Sequence, residues 1–246
     1  MRAGKERGIS ILPVTSLEMD HIAVTERIST GIPDMDGLLG GAGYYRGSSV
    51  LVSGMPGTGK TSLAAHFVQD GCRRGERCLF FAFEESQSQI IRNMQSIGMD
   101  LEPFVSEGLL RFQTVRPTSY GLEAHLVAMH QAVAEFDPKA VVIDPIPNLF
   151  AIAPEPEVRA MLVRLVDFYK TKGITALFTN LVSDRSSGIE EIGISSIADT
   201  WLVLRYAEQD GNRERRLYAL KSRGMAHSDR VFRVRLTDEG VKLEQG

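Results

Sequence analysis

The chain has 246 residues, of which 43% are hydrophobic and 24% charged, and its net charge is −3 at pH 7. This length suits one large α/β domain or two small ones, and the small negative charge excludes a general attraction to nucleic acid or to an anionic membrane. No apolar run approaches the ~20 residues that cross a bilayer, and the basic start lacks the apolar stretch of a signal peptide, so we expect a cytoplasmic protein without a membrane segment.

Residues 1–26 differ from the rest of the chain, because they contain Pro13 and small polar residues but no helical period. We interpret them as an arm or linker, and residues 27–246 as a single domain. Within the arm, the run Gly8-Ile9-Ser10-Ile11-Leu12 echoes Gly240-Val241-Lys242-Leu243 near the other end. An echo of so few positions can arise by chance, but it suggests that the arm carries the last strand of a preceding, homologous domain.

Apolar, β-branched runs then alternate with segments of helical period. The predicted strands are Ser48–Ser53, Arg77–Phe83, Leu109–Gln113, Ala140–Asp144 and Ile174–Thr179. The predicted helices begin at Lys60 and at Ser86, and two more follow the apolar faces from Leu122 to Val133 and from Val158 to Val166. The strands lack polar alternation, which is typical of parallel strands covered on both faces. The pattern therefore predicts right-handed βαβ units in a doubly wound sheet.

A different pattern follows Ser195. Four strand-like runs succeed one another without helices between them, at Thr200–Tyr206, Arg216–Lys221, Val231–Leu236 and Val241–Leu243. Asp210-Gly211 and Glu239-Gly240 supply turn residues. The sequence thus predicts an α/β fold with a mostly parallel, twisted sheet flanked by helices, which continues into a C-terminal antiparallel β extension.

A glycine-rich loop joins the first predicted strand to the first long helix. The run Gly54-Met55-Pro56-Gly57-Thr58-Gly59-Lys60-Thr61 matches the P-loop pattern G-x-x-x-x-G-K-[ST]. Its backbone N–H groups and the helix dipole favour a phosphate, and an ordinary glycine turn explains the strand–loop–helix setting less well. We expect Lys60 to reach the β- and γ-phosphates of ATP and the Thr61 hydroxyl to ligate Mg²⁺. The predicted phosphate-binding residues are Gly57, Thr58, Gly59, Lys60, Thr61 and Ser62.

Acidic residues end two other predicted strands. Val141-Val142-Ile143-Asp144 has the usual form of the second metal-binding motif of P-loop proteins, although many buried strands end in aspartate. Pro145 follows it, where some P-loop ATPases carry their catalytic carboxylate. Glu84-Glu85 is the only adjacent acidic pair at the C-terminal end of a predicted core strand, and that end faces the P-loop crevice. We interpret the pair as catalytic carboxylates, the alternative being a role at the N-terminus of the next helix.

Together these features resemble the RecA-like P-loop ATPases. The finer resemblance is to the C-terminal domain of the KaiC family, the hexameric ATPases and autokinases of bacterial clocks. It covers residues 27–243, and the matching segments are Ile28–Pro33, Asp36–Gly41, Phe83–Ser86, Leu177–Asn180, Ile194–Thr200 and Lys221–Gly224. The start Gly8–Pro13 also resembles the end of the family's first domain. The resemblance implies a RecA-like fold, ATP and Mg²⁺ as cofactors, a homo-oligomeric ring expected to be a hexamer, and clock-type protein partners.

The resemblance also assigns catalytic, metal-binding and acceptor residues. It implies that Glu84 and Glu85 are the catalytic carboxylates, and that Ser195 and Ser196 occupy the place of the family's adjacent Ser-Thr phosphate acceptors. The implied metal ligands are Thr61, Glu84 and Asp144. A serine replaces threonine at the second acceptor position, so the order of phosphorylation does not carry over. Without the resemblance, the two serines would be a turn or capping pair.

Four basic residues are assigned to a nucleotide bound by the neighbouring subunit. The resemblance implies that Lys221 and Arg223 reach the γ-phosphate in trans, on one face of a strand because they are two residues apart. Arg215 and His227 match further nucleotide-contacting positions on that side. Without the resemblance, Lys221 and Arg223 would be solvated strand charges.

A nucleic-acid motor and an ATP-gated scaffold are the alternatives to an autokinase. A motor or recombinase would line its central channel with basic or aromatic residues. The candidate channel segments Pro145–Glu157 and Ser183–Ile194 hold five acidic residues against Arg185 alone, so we expect no nucleic-acid partner. The sequence does not exclude a non-catalytic scaffold, because Glu84 and Glu85 indicate capacity rather than turnover.

Overall fold

The computed structural model describes residues 24–182, 196, 198–209 and 211–245. Most of the predicted arm and the predicted acceptor Ser195 lie outside these ranges, so the interpretation of residues 1–26 stays a prediction. The strands are β1 (Arg27–Ile28), β2 (Tyr44–Tyr45), β3 (Ser49–Gly54), β4 (Cys78–Ala82), β5 (Leu110–Thr114), β6 (Ala140–Asp144), β7 (Thr175–Leu181), β8 (Thr200–Gln209), β9 (Asn212–Ser222), β10 (Phe232–Thr237) and β11 (Gly240–Gln245). The helices are α1 (Pro33–Leu38), α2 (Lys60–Arg73), α3 (Gln87–Gln95), α4 (Glu102–Ser106), α5 (Leu122–Phe136) and α6 (Glu155–Thr171), with 3₁₀ turns at Pro117–Ser119 and Ile146–Ala151. Within the described ranges, no helix combines the length and apolar character that crossing a membrane requires.

One nine-stranded sheet carries the fold, in the order β11-β10-β9-β8-β3-β7-β6-β4-β5. In this spatial order, the neighbouring strands β8-β3-β7-β6-β4-β5 are all parallel, and the neighbouring strands β11-β10-β9-β8 are all antiparallel. The strands β3, β4 and β6 are buried along their whole length, as their unbroken apolar runs predict. The structure therefore confirms the predicted α/β fold with its C-terminal antiparallel extension.

Alternate residues of the central strands enter two hydrophobic cores, one on each face of the sheet. In β3, Val50 and Val52 join the core that also contains Phe67 of α2, whereas Leu51 joins the core that contains Leu162 of α6. This alternation is the ordinary period of a strand, and helices cover both faces because neither face is polar. The P-loop at the end of β3 is thus anchored between two packed layers.

The start of α3 follows a side-chain signal. The Ser86 hydroxyl accepts a hydrogen bond from the backbone N–H of Gln89, and the Gln89 side chain accepts one from the backbone N–H of Ser86 at 2.9 Å. This is a capping box at the residue where the sequence predicts the helix to begin, and it satisfies two backbone donors that a helix start leaves open. It also leaves Glu84 and Glu85 on the short connection between β4 and α3.

Some elements were not predicted, and they depend on single contacts rather than on a pattern. β1 and β2 have two residues each and pair in antiparallel register, Arg27 opposite Tyr45. Arg27 Nε donates to the carbonyl of Gly43 at 3.1 Å, and its guanidinium lies 4.6 Å from the centre of the Tyr45 ring. Two-residue strands carry no period, so the sequence does not reveal them. The ends of predicted strands also differ from the structure: β8 runs three residues beyond Tyr206, to Gln209, and β9 begins four residues before Arg216, at Asn212.

Two glycines after helices offer a matched test of how the C-terminal extension is attached. Gly98 and Gly108 have nearly the same positive φ, 75° and 74°. A methyl group built on Gly98 would lie 1.7 Å from the carbonyl oxygen of Asp238, in the turn between β10 and β11, whereas one built on Gly108 would meet nothing within 4 Å. We expect Gly98→Ala to lower the free energy of unfolding by about 2 kcal/mol more than Gly108→Ala, because both variants strain the backbone but only the first also clashes. Equal losses in chemical denaturation would contradict this packing of the turn.

Candidate active site

The P-loop takes the conformation that its glycines allow. Gly57 and Gly59 have φ of 76° and 103°, in the left-handed region that residues with a Cβ avoid. The Thr58 hydroxyl donates to the carbonyl of Met55 at 2.8 Å and closes the loop on itself. Gly59 is the N-cap of α2, so the loop delivers the chain directly into the helix N-terminus. Backbone N–H groups and the helix dipole therefore meet where the sequence predicts a phosphate.

Lys60 is buried, and its ammonium group is held by the loop itself. Its Nζ donates to the carbonyls of Gly54 at 2.9 Å and Met55 at 2.8 Å. Burial lowers the pKa of Lys60 to about 8, although the charges of Asp144 and Glu84 act in the opposite direction. A polyphosphate is a stronger partner for an ammonium than two neutral carbonyls. Lys60 is thus placed to exchange these carbonyls for the phosphates of ATP.

Asp144 lies beside Thr61, and two hydroxyl groups donate to its carboxylate. Thr61 Oγ1 donates to Asp144 Oδ2 at 2.9 Å, and Thr179 of the neighbouring strand β7 donates to Oδ1. Burial raises the pKa of Asp144, and the hydrogen bonds from Thr179 and Thr61 limit that rise. A carboxylate next to a hydroxyl at the foot of a phosphate-binding loop is the oxygen donor set that Mg²⁺ prefers, so these residues fit the metal.

The two predicted catalytic carboxylates reach the same cleft, which has a volume of about 260 Å³. Residues lining it are Pro56, Gly57, Lys60, Thr61, Ala82, Glu84, Glu85, Ile90, Asp144, Pro145 and Leu181. Glu84 is exposed and Glu85 is half-buried. Glu85 accepts a hydrogen bond from the side-chain amide of Asn93, at 3.2 Å, which fixes it against α3. Ser86 and Gln89 cap the N-terminus of α3, so neither Glu84 nor Glu85 is required as its cap.

Arg215 lies beside the P-loop of its own chain. It pairs with Tyr206 in the sheet, two positions beyond the level of Gly54, and its Nε donates to the carbonyl of Gly57 at 3.1 Å. The Tyr206 ring also borders the loop, because a methyl group on Gly57 would lie 3.0 Å from the Tyr206 hydroxyl. The resemblance assigned Arg215 to the neighbour's nucleotide, whereas this position also puts it next to the nucleotide loop in the same subunit.

Lys221 and Arg223 lie at the opposite end of the sheet from the P-loop. Lys221 pairs with Trp201, and the backbone N–H of Arg223 donates to the carbonyl of Asp199 at 2.8 Å. Asp199 is in turn level with Ser49, at the start of β3. The P-loop begins at the other end of β3, five residues further, or about 16 Å at the usual rise of a strand.

Ser196 lies at the same end of the sheet as Arg223, and His227 lies in the loop that follows Arg223. The carbonyl of Ser196 accepts a hydrogen bond from Arg223 Nη2 at 2.6 Å, so one predicted acceptor serine sits on the same end of the sheet. His227 is half-buried in the loop after Arg223, and the next residue, Ser228, is tied to α1 by a hydrogen bond from its N–H to the carbonyl of Leu38 at 2.8 Å. Apart from His227, the predicted site residues within the described ranges thus form two groups, one at each end of the sheet.

Three residues near the cleft had no predicted role. Thr179 ends the predicted strand Ile174–Thr179, and the register of β6 and β7 places it next to Asp144, but the sequence does not give strand order. Asn93 stands on α3, and Tyr206 stands on β8, and nothing in their sequence neighbourhood distinguishes them from ordinary helix and strand residues. Their positions follow from tertiary packing alone.

Comparison with known proteins shows which family the chain belongs to. The family model of the KaiC ATPase matches residues 28–246. KaiC2, a circadian clock protein of Synechocystis sp., is 49% identical over 242 residues, which are 97% of this chain and 43% of that protein. KaiC, a circadian clock oscillator protein of Thermostichus vulcanus, is 36% identical over 238 residues, 96% of this chain and 46% of its own length.

A further relative, the circadian clock protein KaiC3 of Synechocystis sp., is 34% identical over 240 residues, 97% of this chain and 47% of that protein. The chain therefore spans a little under half the length of these relatives. A P-loop, a buried aspartate beside its threonine and a RecA-like sheet with an antiparallel extension are all found where the sequence predicted them. From its fold, its ATP-binding loop and these matches, the chain belongs to the family of KaiC ATPases.

Proposed function

We propose that this protein is a Mg²⁺-dependent ATPase and serine autokinase that acts across the subunit interfaces of a ring. The observation that carries the proposal is the meeting of three functions in one cleft: Lys60 for the phosphates, Thr61 and Asp144 for the metal, and the paired carboxylates Glu84 and Glu85 for catalysis. Hydrolysis and phosphoryl transfer both need a carboxylate near the γ-phosphate, to orient or deprotonate the attacking oxygen. An ATP-gated scaffold would have no need for this pair.

The same cleft supports both reactions through one sequence of steps. The P-loop and Lys60 hold the phosphates, and Mg²⁺, when bound by Thr61 and Asp144, would neutralise charge on the β- and γ-phosphates. Glu84 or Glu85 takes the proton from the attacking oxygen, which belongs to water in hydrolysis and to Ser195 or Ser196 in transfer. The new oxygen–phosphorus bond forms as the bond from the γ-phosphorus to the bridging oxygen breaks, and ADP leaves.

A ring is supported by the separation of the two groups of residues. Along β3, Arg223 lies about 16 Å and Lys221 about 10 Å from the level at which the P-loop of their own chain begins. Such side chains reach a γ-phosphate only if it is bound by another copy, and head-to-tail contacts of this kind close into rings. We propose a hexamer, and a neighbour's nucleotide as the target of Lys221 and Arg223.

The physiological setting of the proposal comes from the relatives. KaiC2, KaiC3 and KaiC bear the names of circadian clock proteins, and they are roughly twice as long as this chain. We infer a role in timing or signalling, with clock-type protein partners and a cytoplasmic location. The acidic residues of Pro145–Glu157 favour this reading over a nucleic-acid motor.

ATP should assemble the protein into a large species, and Arg223→Ala should lower turnover about tenfold without unfolding the subunit. The variant loses one charge-assisted contact to phosphate, and a single contact of that kind has about this effect. Sedimentation in the presence of Mg-ATP measures the assembly, and phosphate release measures turnover. Arg235→Ala is the matched control, because Arg235 is a half-exposed arginine on β10. A protein that stays monomeric yet is fully active would refute the ring.

A further inference from the structure

Arg223 contacts Ser196 at the end of the sheet opposite the P-loop, and Lys170 and Lys221 lie near this end as well. Arg223 holds this region from two sides, since its Nη2 donates to the carbonyl of Ser196 at 2.6 Å and its backbone N–H donates to the carbonyl of Asp199 at 2.8 Å. Ser196 is exposed to solvent. The arginine side chain is therefore already aligned with the residue that carries the hydroxyl.

The carboxylate of Asp199 is bound by Ser49 and Lys170. Its Oδ2 accepts hydrogen bonds from the backbone N–H of Ser49 at 2.9 Å and from the Ser49 hydroxyl at 2.8 Å, and Lys170 Nζ lies 2.8 Å from the same oxygen. Burial alone would raise the pKa of Asp199, but the bonds from Lys170 and Ser49 hold it below its usual value. Asp199 thus stays ionised and is neutralised largely by Lys170, so it does not cancel the charge of Arg223.

Lys221 adds a third cation. It lies two residues before Arg223 and opposite Trp201 in the sheet. Burial lowers the pKa of Lys221, and the charges of Arg223 and Lys170 lower it further, whereas Asp199 acts in the other direction. The charges of Arg223 and Lys170 therefore lie close enough to Lys221 to act on it. An anion beside neighbouring cations of this kind is stabilised by them.

A phosphate on Ser196 would lie close to Arg223 and Lys221. The Oγ atom of a serine stays within about 5 Å of its own carbonyl oxygen in any rotamer. The carbonyl oxygen of Ser196 already touches the Arg223 guanidinium, whose planar fork matches the geometry of phosphate oxygens. We propose that phosphate on Ser196 is bound by Arg223 and Lys221 of the same chain.

The proposed site deepens the function proposed above and rests on it for the source of the phosphate and for the role of Lys221 and Arg223 in trans. In a modified subunit, Lys221 and Arg223 would bind the phosphate on the subunit's own Ser196 instead of the neighbour's nucleotide. Phosphate on Ser196 and nucleotide in the next subunit would then compete for the same side chains. The modification would feed back on the reaction that makes it.

The test uses phosphoserine installed at position 196 during translation, in a Ser195→Ala protein free of nucleotide. Phosphorus NMR then follows the second ionisation of the phosphate, whose ordinary pKa is about 6. We expect it about one unit lower, because nearby cations favour the dianion. Arg223→Ala should restore the ordinary value, Arg223→Lys should retain part of the shift, and Arg235→Ala should leave it unchanged. A phosphate pKa that ignores Arg223→Ala would overturn the proposal.

A dilution experiment separates the chain's own arginine from a neighbour's. Phosphoserine subunits that keep Arg223 are mixed with an excess of unmodified Arg223→Ala subunits. The lowered pKa should persist, since each phosphate still has its own Arg223; a return to the ordinary value would mean that the neighbour binds the phosphate. Because the phosphate is installed independently of ATP, a protein that passes this test but never labels itself with Mg-ATP refutes the autokinase and leaves the phosphate site standing.

Discussion

Replacing Lys60 by alanine should weaken the binding of ATP about tenfold to a hundredfold, the usual effect of losing one charge-assisted contact of about 1.5–3 kcal/mol. Lys60 is buried at the base of the loop, and its ammonium donates to the carbonyls of Gly54 and Met55. No other cation lines the described cleft, so nothing there replaces it. Titration calorimetry with Mg-ATP measures the change.

Lys242→Ala is the matched control for this variant, because Lys242 is a half-exposed lysine on β11 that pairs with Glu239. The pH gives an independent check. The pKa of Lys60 is lowered to about 8, so the free protein loses the ammonium as the pH rises through that value. Wild-type affinity should therefore fall about fivefold between pH 8 and 9 if only the ammonium binds phosphate, and Lys60→Ala should lose that dependence. Unchanged affinity in Lys60→Ala would exclude this loop as the ATP site.

Changing Glu84 and Glu85 together to glutamine should lower ATP turnover and serine phosphorylation by about 10²- to 10⁴-fold, the contribution of a general base. Glutamine nearly keeps the shape of the side chain but cannot accept the proton of a serine hydroxyl or of water. A serine hydroxyl is a weak nucleophile near neutral pH and depends on such a base. ATP binding should persist, since Lys60 and the P-loop are untouched.

Glu155→Gln/Glu157→Gln is the control for this double variant, because it makes the same chemical change in the first turn of α6. Phosphate release and phosphosite mass spectrometry measure the two reactions separately. Full phosphorylation in the Glu84→Gln/Glu85→Gln protein would contradict the catalytic assignment and favour a role of the pair at the start of α3. Loss of both reactions in the control would indicate a general effect of lost charge.

The core of the fold and the nucleotide cleft could be predicted from the sequence because local signals decide them. Buried parallel strands need unbroken apolar runs, as in β3 and β6, and a P-loop needs glycines where the backbone takes positive φ, as at Gly57 and Gly59. Each strand end that carries Glu84 or Asp144 then meets the P-loop, since parallel strands present their carboxyl ends to one crevice.

What could not be predicted depends on strand order and on contacts between distant segments. The hydrogen bond from Thr179 to Asp144 requires β6 and β7 to be neighbours. The hydrogen bond from Arg215 to Gly57 requires β9 to pair antiparallel with β8, so that its first residues lie beside the P-loop. Neither arrangement leaves a pattern in a single segment. The same is true of Arg223 and Ser196, which lie 27 residues apart in the chain yet share a hydrogen bond.

The central claim is phosphoryl transfer from one subunit to the serines of the next, and mixed rings test it most directly. Glu84→Gln/Glu85→Gln subunits keep Ser195 and Ser196 but lack the base, and Ser195→Ala/Ser196→Ala subunits keep the base but lack the acceptors. Each protein is incubated with Mg-ATP alone and in mixture, and the phosphorylated peptides are identified by mass spectrometry. We predict phosphate on the serines of the Glu84→Gln/Glu85→Gln subunits in the mixture alone. Labelling that requires base and serines in one chain, or no labelled serine in the unmodified protein, would contradict the account.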